Sequence, residues 1–554
     1  MKMKISSIRF YIVTVFIISS IYAQLDYGIN YDLKYFDSQD EDGGKINVFE
    51  NYFDINIYSD DWYFYSLLRY KNPPLIGSPT NEFKDIYNIF FLEYSNDKLQ
   101  FQLGDIFQSY GAGLSMHTYE DRTIDYNNAP RGASILYYLK DNIDVFGFIG
   151  SNTFSSRTNI ANLEPNIFVD NSVASMGISY QNNYLDMHYL TMFNSQNIDS
   201  ESIVNMMSFN NILGDYLNHH YPSGSDGPSD FSMNVLEHNL GGTLYIKDLE
   251  LYIERSWVYH NKIEGERTLG YKTYLSSYFS LNDYGILYEY KNYNTPYYYS
   301  VLSNPPIVFK ENSSTLISRN LHNVDFSNEI GHHILINKSY SEQLNILLSS
   351  ACAYNPLIDG SLFEPDFGQV WLDMLLQSGN MEEYELLNPY RQLYFEINGW
   401  TKDENLFYKI GIDKYLEYGP DKTINARTIP TQFTLKLKEG NSLSLYLEHQ
   451  MKQIQSVPLA SETKYYVYLS PSYNHYGKWM FSLFGDFEMD DRLLGIDDIK
   501  DGYIGADITY YINDSNLLSV FLGSQKGGLV CANGTCVMQP DFEKGFKITS
   551  KIMF

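Results

Sequence analysis

Long hydrophobic runs are missing from this chain of 554 residues. Beyond its first two dozen positions, none approaches the roughly 18 uninterrupted apolar residues that a membrane-spanning helix needs, so helical spans are excluded. Basic residues are scarce: 39 Lys and Arg stand against 67 Asp and Glu, for a net charge of −28. That balance excludes nucleic acid as a partner, because phosphate binding needs clustered Lys and Arg. An acidic surface tends to attract cations, but it serves equally as solubilising charge on long external loops. No βαβ rhythm and no fixed 20–50-residue repeat is present, which argues against Rossmann folds and propellers. Nothing marks a nucleophile elbow or an oxyanion hole, so no enzyme is expected and no cofactor is implied. Cysteines number three and tryptophans five.

What remains is alternation. The last strand places Phe546, Ile548, Ser550, Ile552 and Phe554 on one face and Lys547, Thr549, Lys551 and Met553 on the other. Period-two patterning means one face meets an apolar phase and the other meets water. Strand, turn, strand is the rhythm almost throughout. Phe49, Phe53, Ile55 and Ile57 share a face, as do Leu249, Leu251, Ile253, Arg255 and Trp257, and hairpin turns fall at Asn282-Asp283 and Asn513-Asp514-Ser515. Such runs predict roughly 20–24 strands of ~10 residues. Aromatics are abundant, with 52 Tyr and 33 Phe. Barrels in membranes place such rings at both interfaces, ring in the apolar layer and hydroxyl wet, although Tyr also simply favours strands. The mean hydropathy of −0.31 does not oppose a membrane location, since a barrel wall alternates lipid-facing and lumen-facing residues.

The ends agree. Residues 1–23 read as a cleaved secretory signal, with Lys2, Lys4 and Arg9 before the short apolar stretch Phe10–Ile18 and Ala23 before Gln24. A terminal aromatic, Phe554, on an alternating strand resembles the signal that bacterial barrel-assembly machinery reads. The expected architecture is therefore all-β: a signal, then one large antiparallel transmembrane β-barrel over 24–554, in the outer membrane of a Gram-negative type of cell.

Four segments break the rhythm: Asp105 to Gly132, Asn194 to Glu237, Asn294 to Asn320, and Leu357 to Asn388, the last with a short helix expected over Gln369 to Leu376. Each is too long for a hairpin turn, and long loops usually carry function. Within the first, Gly111 and Gly113 permit backbone conformations or close approaches that a side chain would block. They do not make a nucleotide fingerprint, for no third glycine follows in register and no Gly-Lys-Ser/Thr follows. Asp105, Glu120, Asp121, Arg122 and Arg131 form a dense polar set. Charge facing lipid costs a few kcal/mol, so such groups must face the lumen. Residues 105–132 are expected to fold into or across the lumen, pairing Asp105, Glu120 or Asp121 with Arg122 or Arg131. The competing reading is an external loop with a solvated charge run.

The stretch Gly104-Asp105-Ile106-Phe107-Gln108-Ser109-Tyr110-Gly111-Ala112-Gly113-Leu114, its continuation through Arg131-Gly132, and Gly527-Gly528-Leu529-Val530-Cys531 with Gly534-Thr535-Cys536 resemble an uncharacterised family of outer-membrane barrel proteins, filed as a domain of unknown function. The resemblance implies location and fold over the mature chain, and supplies no activity.

Cys531 and Cys536 flank an Asn-Gly turn that brings two thiols into disulfide range in an oxidising compartment; a metal site is the rival, weak without a nearby His. Cys352 reads as a small buried residue. His219-His220 and His332-His333 are adjacent pairs that point oppositely in a strand and make no metal site. Ser115 and His117 share a strand face without further catalytic company. Asp490, Asp491, Asp497, Asp498 and Asp501 make an acidic loop without calcium-loop spacing. The leading function is passage of a solute, or a structural role in an envelope assembly. The alternatives are a surface binding or adhesion protein and a secreted soluble all-β protein. Expected partners are outer-membrane lipid, the assembly machinery, and a small solute or envelope protein.

Overall fold

The computed structural model describes residues 26–39, 44–207, 230–261, 267–295, 298–320, 322–341, 343–355, 387–419, 422–456, 460–489, 499–532 and 535–554. The signal at 1–23, His219-His220, the helix expected over 369–376 and most of the acidic loop at 490–498 lie outside them. The described residues contain one antiparallel sheet of 24 strands. In chain order these are β1 (Asp26–Gln39), β2 (Lys45–Ser59), β3 (Trp62–Lys71), β4 (Tyr87–Ser95), β5 (Leu99–Asp105), β6 (Arg131–Lys140), β7 (Ile143–Ser156), β8 (Ile167–Gln181), β9 (Leu185–Ile198), β10 (Phe231–Ile246), β11 (Leu249–Asn261) and β12 (Arg267–Leu281). The second half comprises β13 (Tyr284–Asn294), β14 (Asn328–Ser341), β15 (Leu344–Asn355), β16 (Leu387–Trp400), β17 (Leu406–Tyr418), β18 (Lys422–Lys436), β19 (Ser442–Ser456), β20 (Ala460–His475), β21 (Trp479–Met489), β22 (Ile499–Tyr511), β23 (Leu517–Gln525) and β24 (Phe542–Met553). Each strand pairs with its neighbours in the chain, and β24 pairs with β1 from Gln39–Lys544 to Asn30–Met553. The sheet therefore closes into a barrel and leaves no free edge strand.

Connections at one end of the barrel are tight. Asp60, Lys247 and Asn282 adopt positive φ there, the conformation that two-residue hairpins demand. At the other end several connections are long, among them 106–130, 295–327 and 526–541, and it is these that position the site. The wall inverts the burial pattern of a soluble protein. Ile253 is 54% exposed while its neighbour Glu254 is 0% exposed, because the outer face is apolar and the inner face polar, as in a wall that faces lipid. Met176, Leu483 and Ile504 are likewise exposed. Rings cluster at the tight-turn end: Trp62 lies 4.9 Å from Tyr94, Tyr58 stacks 4.6 Å from Tyr63, and Trp479 lies 4.5 Å from Tyr510. Lys338 and Lys436 sit over Tyr284 and Trp400 there, apolar stems along the rings and charged heads free to reach water.

The interior is filled. Inward side chains of β7 to β10, among them Phe148, Val169, Val173, Met192 and Val235, pack on Ile106 and Met116 from the β5–β6 connection and on Tyr298, Val301 and Leu302 from the β13–β14 connection. One expectation needs correction. Asn194 to Glu237 is not one polar loop: Asn194–Ile198 completes β9, Phe231–Glu237 begins β10, and Ser200–Met207 is a helix between them. Asn194 and Gln196 face inward and are buried. In 194–197 polar inner positions beside polar outer ones hide the period-two signal, whereas Phe231, Met233 and Val235 alternate plainly and mark the start of β10.

Candidate functional site

Residues 106–130 leave the wall between two adjacent strands, for Asp105 and Arg131 are directly opposed across β5 and β6. The segment folds into the lumen and fastens at both ends of its reach. At one end Arg122 donates to Asp54 (2.5 Å) and Asp32 (3.3 Å) on β2 and β1, and lies 3.4 Å from Glu120. Burial opposes the Arg122 charge, but hydrogen bonding to Asp54 and the adjacent Glu120 outweigh it and hold the guanidinium above its ordinary pKa. Beside it Asp125 accepts from the buried Lys71 (2.5 Å) and from Arg69 (3.3 Å) on β3. At the other end the Ala112 amide donates to Glu254 (2.5 Å) and to Tyr252 (2.8 Å) on β11, and Ser115 accepts from Asn239 on β10 (3.0 Å).

Gly111 makes this second attachment fit. It adopts φ +58°, and a Cβ there would meet Glu254 Oε2 at 2.4 Å and His188 Nε2 at 2.6 Å. Gly113 adopts φ +82°, its Cβ direction blocked by the Asn304 carbonyl and His117, both at 2.9 Å. We expect Gly111→Ala to cost about 1–3 kcal/mol through strain and forced displacement of the segment. A lowered temperature for the mobility shift between folded and heated protein on gels would measure it.

A second connection, 295–327, occupies the other side. Its single-turn helix Thr315–Ser318 is held by Glu448 of β19, which accepts from the Ser314 hydroxyl and from the Thr315 and Leu316 amides, each at 2.7 Å. Arg319 makes a two-pronged pair with Asp486 of β21. Lys291 of β13 donates to the Ile307 carbonyl (2.7 Å) and pairs with Glu329. The two segments then bind each other: the His117 amide donates to Leu302 (2.8 Å), the Asn304 amide to Gly113 (3.1 Å), and Asn128 to Val301 (3.1 Å). Lys272 of β12, fully buried, ties both at once, donating to the Leu114 carbonyl (3.2 Å), Ser303 (2.6 Å) and Ser300 (3.1 Å). A third connection, 526–541, carries the hairpin Gly528–Ala532 with Thr535–Gln539, bridged by the Cys531–Cys536 disulfide. Its Val530 and Val537 pack with Ile76 and with Ile124 of the first segment.

His322 gives the second segment a titratable anchor. It meets Glu417 at 2.8 Å and Glu329 at 3.2 Å. Burial disfavours its charge, but Glu329 and then Glu417 more than offset this and raise its pKa to about 9. A group raised on folding stabilises fully below its unfolded value near 6.5, and that contribution is lost as pH climbs through the folded value. Melting temperature should therefore fall between pH 7 and 10, and the fall should be shallower in His322→Gln.

The five charged residues singled out from sequence line one cavity of about 670 Å³, but they pair in separate sets. Arg122 joins β1 and β2 inside the lumen, with Glu120 paired to it. Asp105 and Arg131 pair with each other at 3.0 Å, Arg131 lying over Phe90 (4.5 Å). They stand on the same outward face as the exposed Leu103 and Ile135, at the rim where β5 ends and β6 begins, and so not in the lumen. Asp121 accepts from the Thr123 amide (2.7 Å) in a local turn. Ser115 and His117 have separate partners, His117 contacting Ser109 at 3.1 Å. His332 meets Tyr288 and His333 meets Glu289, on different faces. Among the described residues, no group of three or more His, Cys, Asp or Glu could hold a metal ion. Cys352 is buried, and Phe554 pairs by its backbone with Ile29. Sequence reasoning missed Lys272, Glu254, Glu448 and the Arg319–Asp486 pair. Each lies within an alternating strand or a polar loop and has a partner more than a hundred residues away.

Residues 11–204 match a family described as a family of unknown function, DUF6029. The match takes in the glycine-rich stretch 104–114 and stops well short of 527–536. No curated protein matches the chain. Among solved structures it is similar to the copper transporter OprC (9% identity, TM-score 0.43, covering 96% of this chain and 81% of that one). It is also similar to the P pilus usher PapC translocation pore (10%, 0.41, 95% and 99%) and to the Pseudomonas aeruginosa ferric enterobactin receptor PfeA (8%, 0.43, 96% and 81%).

Proposed function

We propose that this chain is an outer-membrane barrel that passes a polar solute through a lumen restricted by its own connections. The observation that carries the reading is that three connections from one rim fold inward, meet, and are tied to the inner wall by ion pairs and hydrogen bonds. These ties can exchange for water, while an apolar cluster against β7 to β10 keeps the segments seated on that side, and a charged inner wall suits a polar cargo. The rim with long connections would face outward from the cell and the tight turns the periplasm, as barrels of this kind are built. Residues 1–23 would direct export, with the assembly machinery and lipid as partners.

The test is single-channel recording of the purified mature chain in planar bilayers beside Arg122→Ala. Loss of the Arg122 ties to Asp54 and Asp32 should raise the open-state current or its frequency. Unchanged current with unchanged stability would count against a lumen restricted at this point. A folded, heat-modifiable barrel silent in every form would favour the structural role in an envelope assembly.

A further inference from the structure

The cavity lined by the five charged residues does not stop at the lumen. β7 runs on from Ser151, opposite Arg131, to Ser156, while β6 begins only at Arg131. On the other side β3 continues to Lys71, beyond the Leu68 that faces the start of β4 at Tyr87. The wall is therefore low over β4, β5 and β6, and Asp105 with Arg131 forms the floor of a notch. The cavity takes its lining from both sides of this notch: Tyr52, Glu120 and Arg122 from within, and Ser151, Asp170 and Ser172 from the outward face of β7 and β8.

Its chemistry narrows the occupant. Each guanidinium is already engaged: Arg69 with Asp125, Arg122 with Asp54, and Arg131 with Asp105. Acids outnumber these three cations in the lining, so an anion is disfavoured. The acids are interleaved with arginines and form no cluster able to hold a metal ion among the described residues, so a bare cation is disfavoured too. Ala129 is the one aliphatic side chain in the lining, which leaves nothing for an acyl chain. What remains is a set of amides, hydroxyls and carboxylates, both donors and acceptors, beside the rings of Tyr52 and Tyr126. Asn171 is 2% exposed; its amide nitrogen donates to Asn152 (3.0 Å), and its oxygen has no partner. The buried Asn88 amide nitrogen lacks one as well. Buried amides with open valences next to hydroxyl and carboxylate groups suit a ligand rich in hydroxyls, each both donor and acceptor. The volume lies within the ~300–1,000 Å³ usual for small-molecule sites.

We propose that this rim notch binds a neutral sugar unit, taken either from a free oligosaccharide or from the head of a glycolipid lying against the outer wall. The site does not depend on conduction, and its failure would leave the pore reading untouched.

The test applies the detergent-solubilised full chain to an array of neutral oligosaccharides. In parallel, nanodiscs carrying the chain with a neutral glycolipid are compared with discs of phosphatidylethanolamine alone. At least one neutral hexose- or N-acetylhexosamine-bearing glycan should be retained. Retention should fall about tenfold or more in Asn171→Leu, which removes the amide. Ser151→Trp fills the notch from an exposed outer position, so it keeps the test sound if the buried variant folds poorly. Retention of soluble glycans assigns a free source; capture only from glycolipid discs assigns a lipid-linked one. The proposal is overturned if no neutral glycan is retained, if both folded variants bind as the parent does, or if only phosphate-bearing glycans bind.

Discussion

Replacing residues 106–130 by Asn-Gly should leave the wall standing and raise the steady single-channel current several-fold. The expectation rests on geometry. Asp105 and Arg131 face each other directly on neighbouring antiparallel strands, and a two-residue turn of that composition joins such a pair without shifting its register. β5 and β6 keep all their ladder partners, so the barrel loses no main-chain pairing. What goes is the bridge from Asp54 and Lys71 on one side, through Arg122, Asp125, Ala112 and Ser115, to Glu254 and Asn239 on the other. Lys71 and Glu254 lose partners, but the space the segment vacates admits water to both, so the usual penalty for an unpaired buried charge is largely relieved. Recording the parent and the shortened chain at matched salt decides the matter. A folded variant with an unchanged current would mean that this segment does not restrict the pore.

The wall was legible because its signal is local. Alternation of the kind seen in 249–257 or 546–554 needs no distant information, and the strand number fell within the expected range. Arg122 and the two glycines were legible because charge and glycine are concentrated in one short stretch. Asp105 and Arg131 belong to that same stretch in sequence, but they are the last and first residues of wall strands, so their side chains follow the parity of the wall rather than the path of the segment. Lys272 and Glu448 could not be found this way. Each occupies an inner position of a strand, where a polar residue is the rule, and nothing nearby in sequence distinguishes a charge that faces water from one that grips a distant loop. The inward folding of 295–327 was hidden for the same reason: its anchors on β19 and β21 lie far along the chain.

Lys272→Met should be the most disruptive single substitution in the lumen. Lys272 is completely buried and is the one side chain described here that donates to both crossing segments. Glu237 and Glu254 are the charges that act on it, and both are themselves buried. Methionine matches the length of the stem but supplies neither charge nor donors. The Leu114 carbonyl and the Ser300 and Ser303 hydroxyls lose a partner, and two buried carboxylates lose a cation that acts on them. Removing one member of a buried charged set costs about 3–5 kcal/mol when the remainder stays buried. Two outcomes are open to the molecule: it melts at lower temperature with the segments in place, or the segments part and water enters. The first lowers the heat-modification temperature with little change in current; the second raises the current as well. Adding Glu254→Gln to Lys272→Met removes one uncompensated charge, so the double variant should recover part of the lost melting temperature, which neither substitution would do alone. If the two losses simply add, Lys272 and Glu254 are not coupled, and Lys272 acts through its hydrogen bonds to the segments alone.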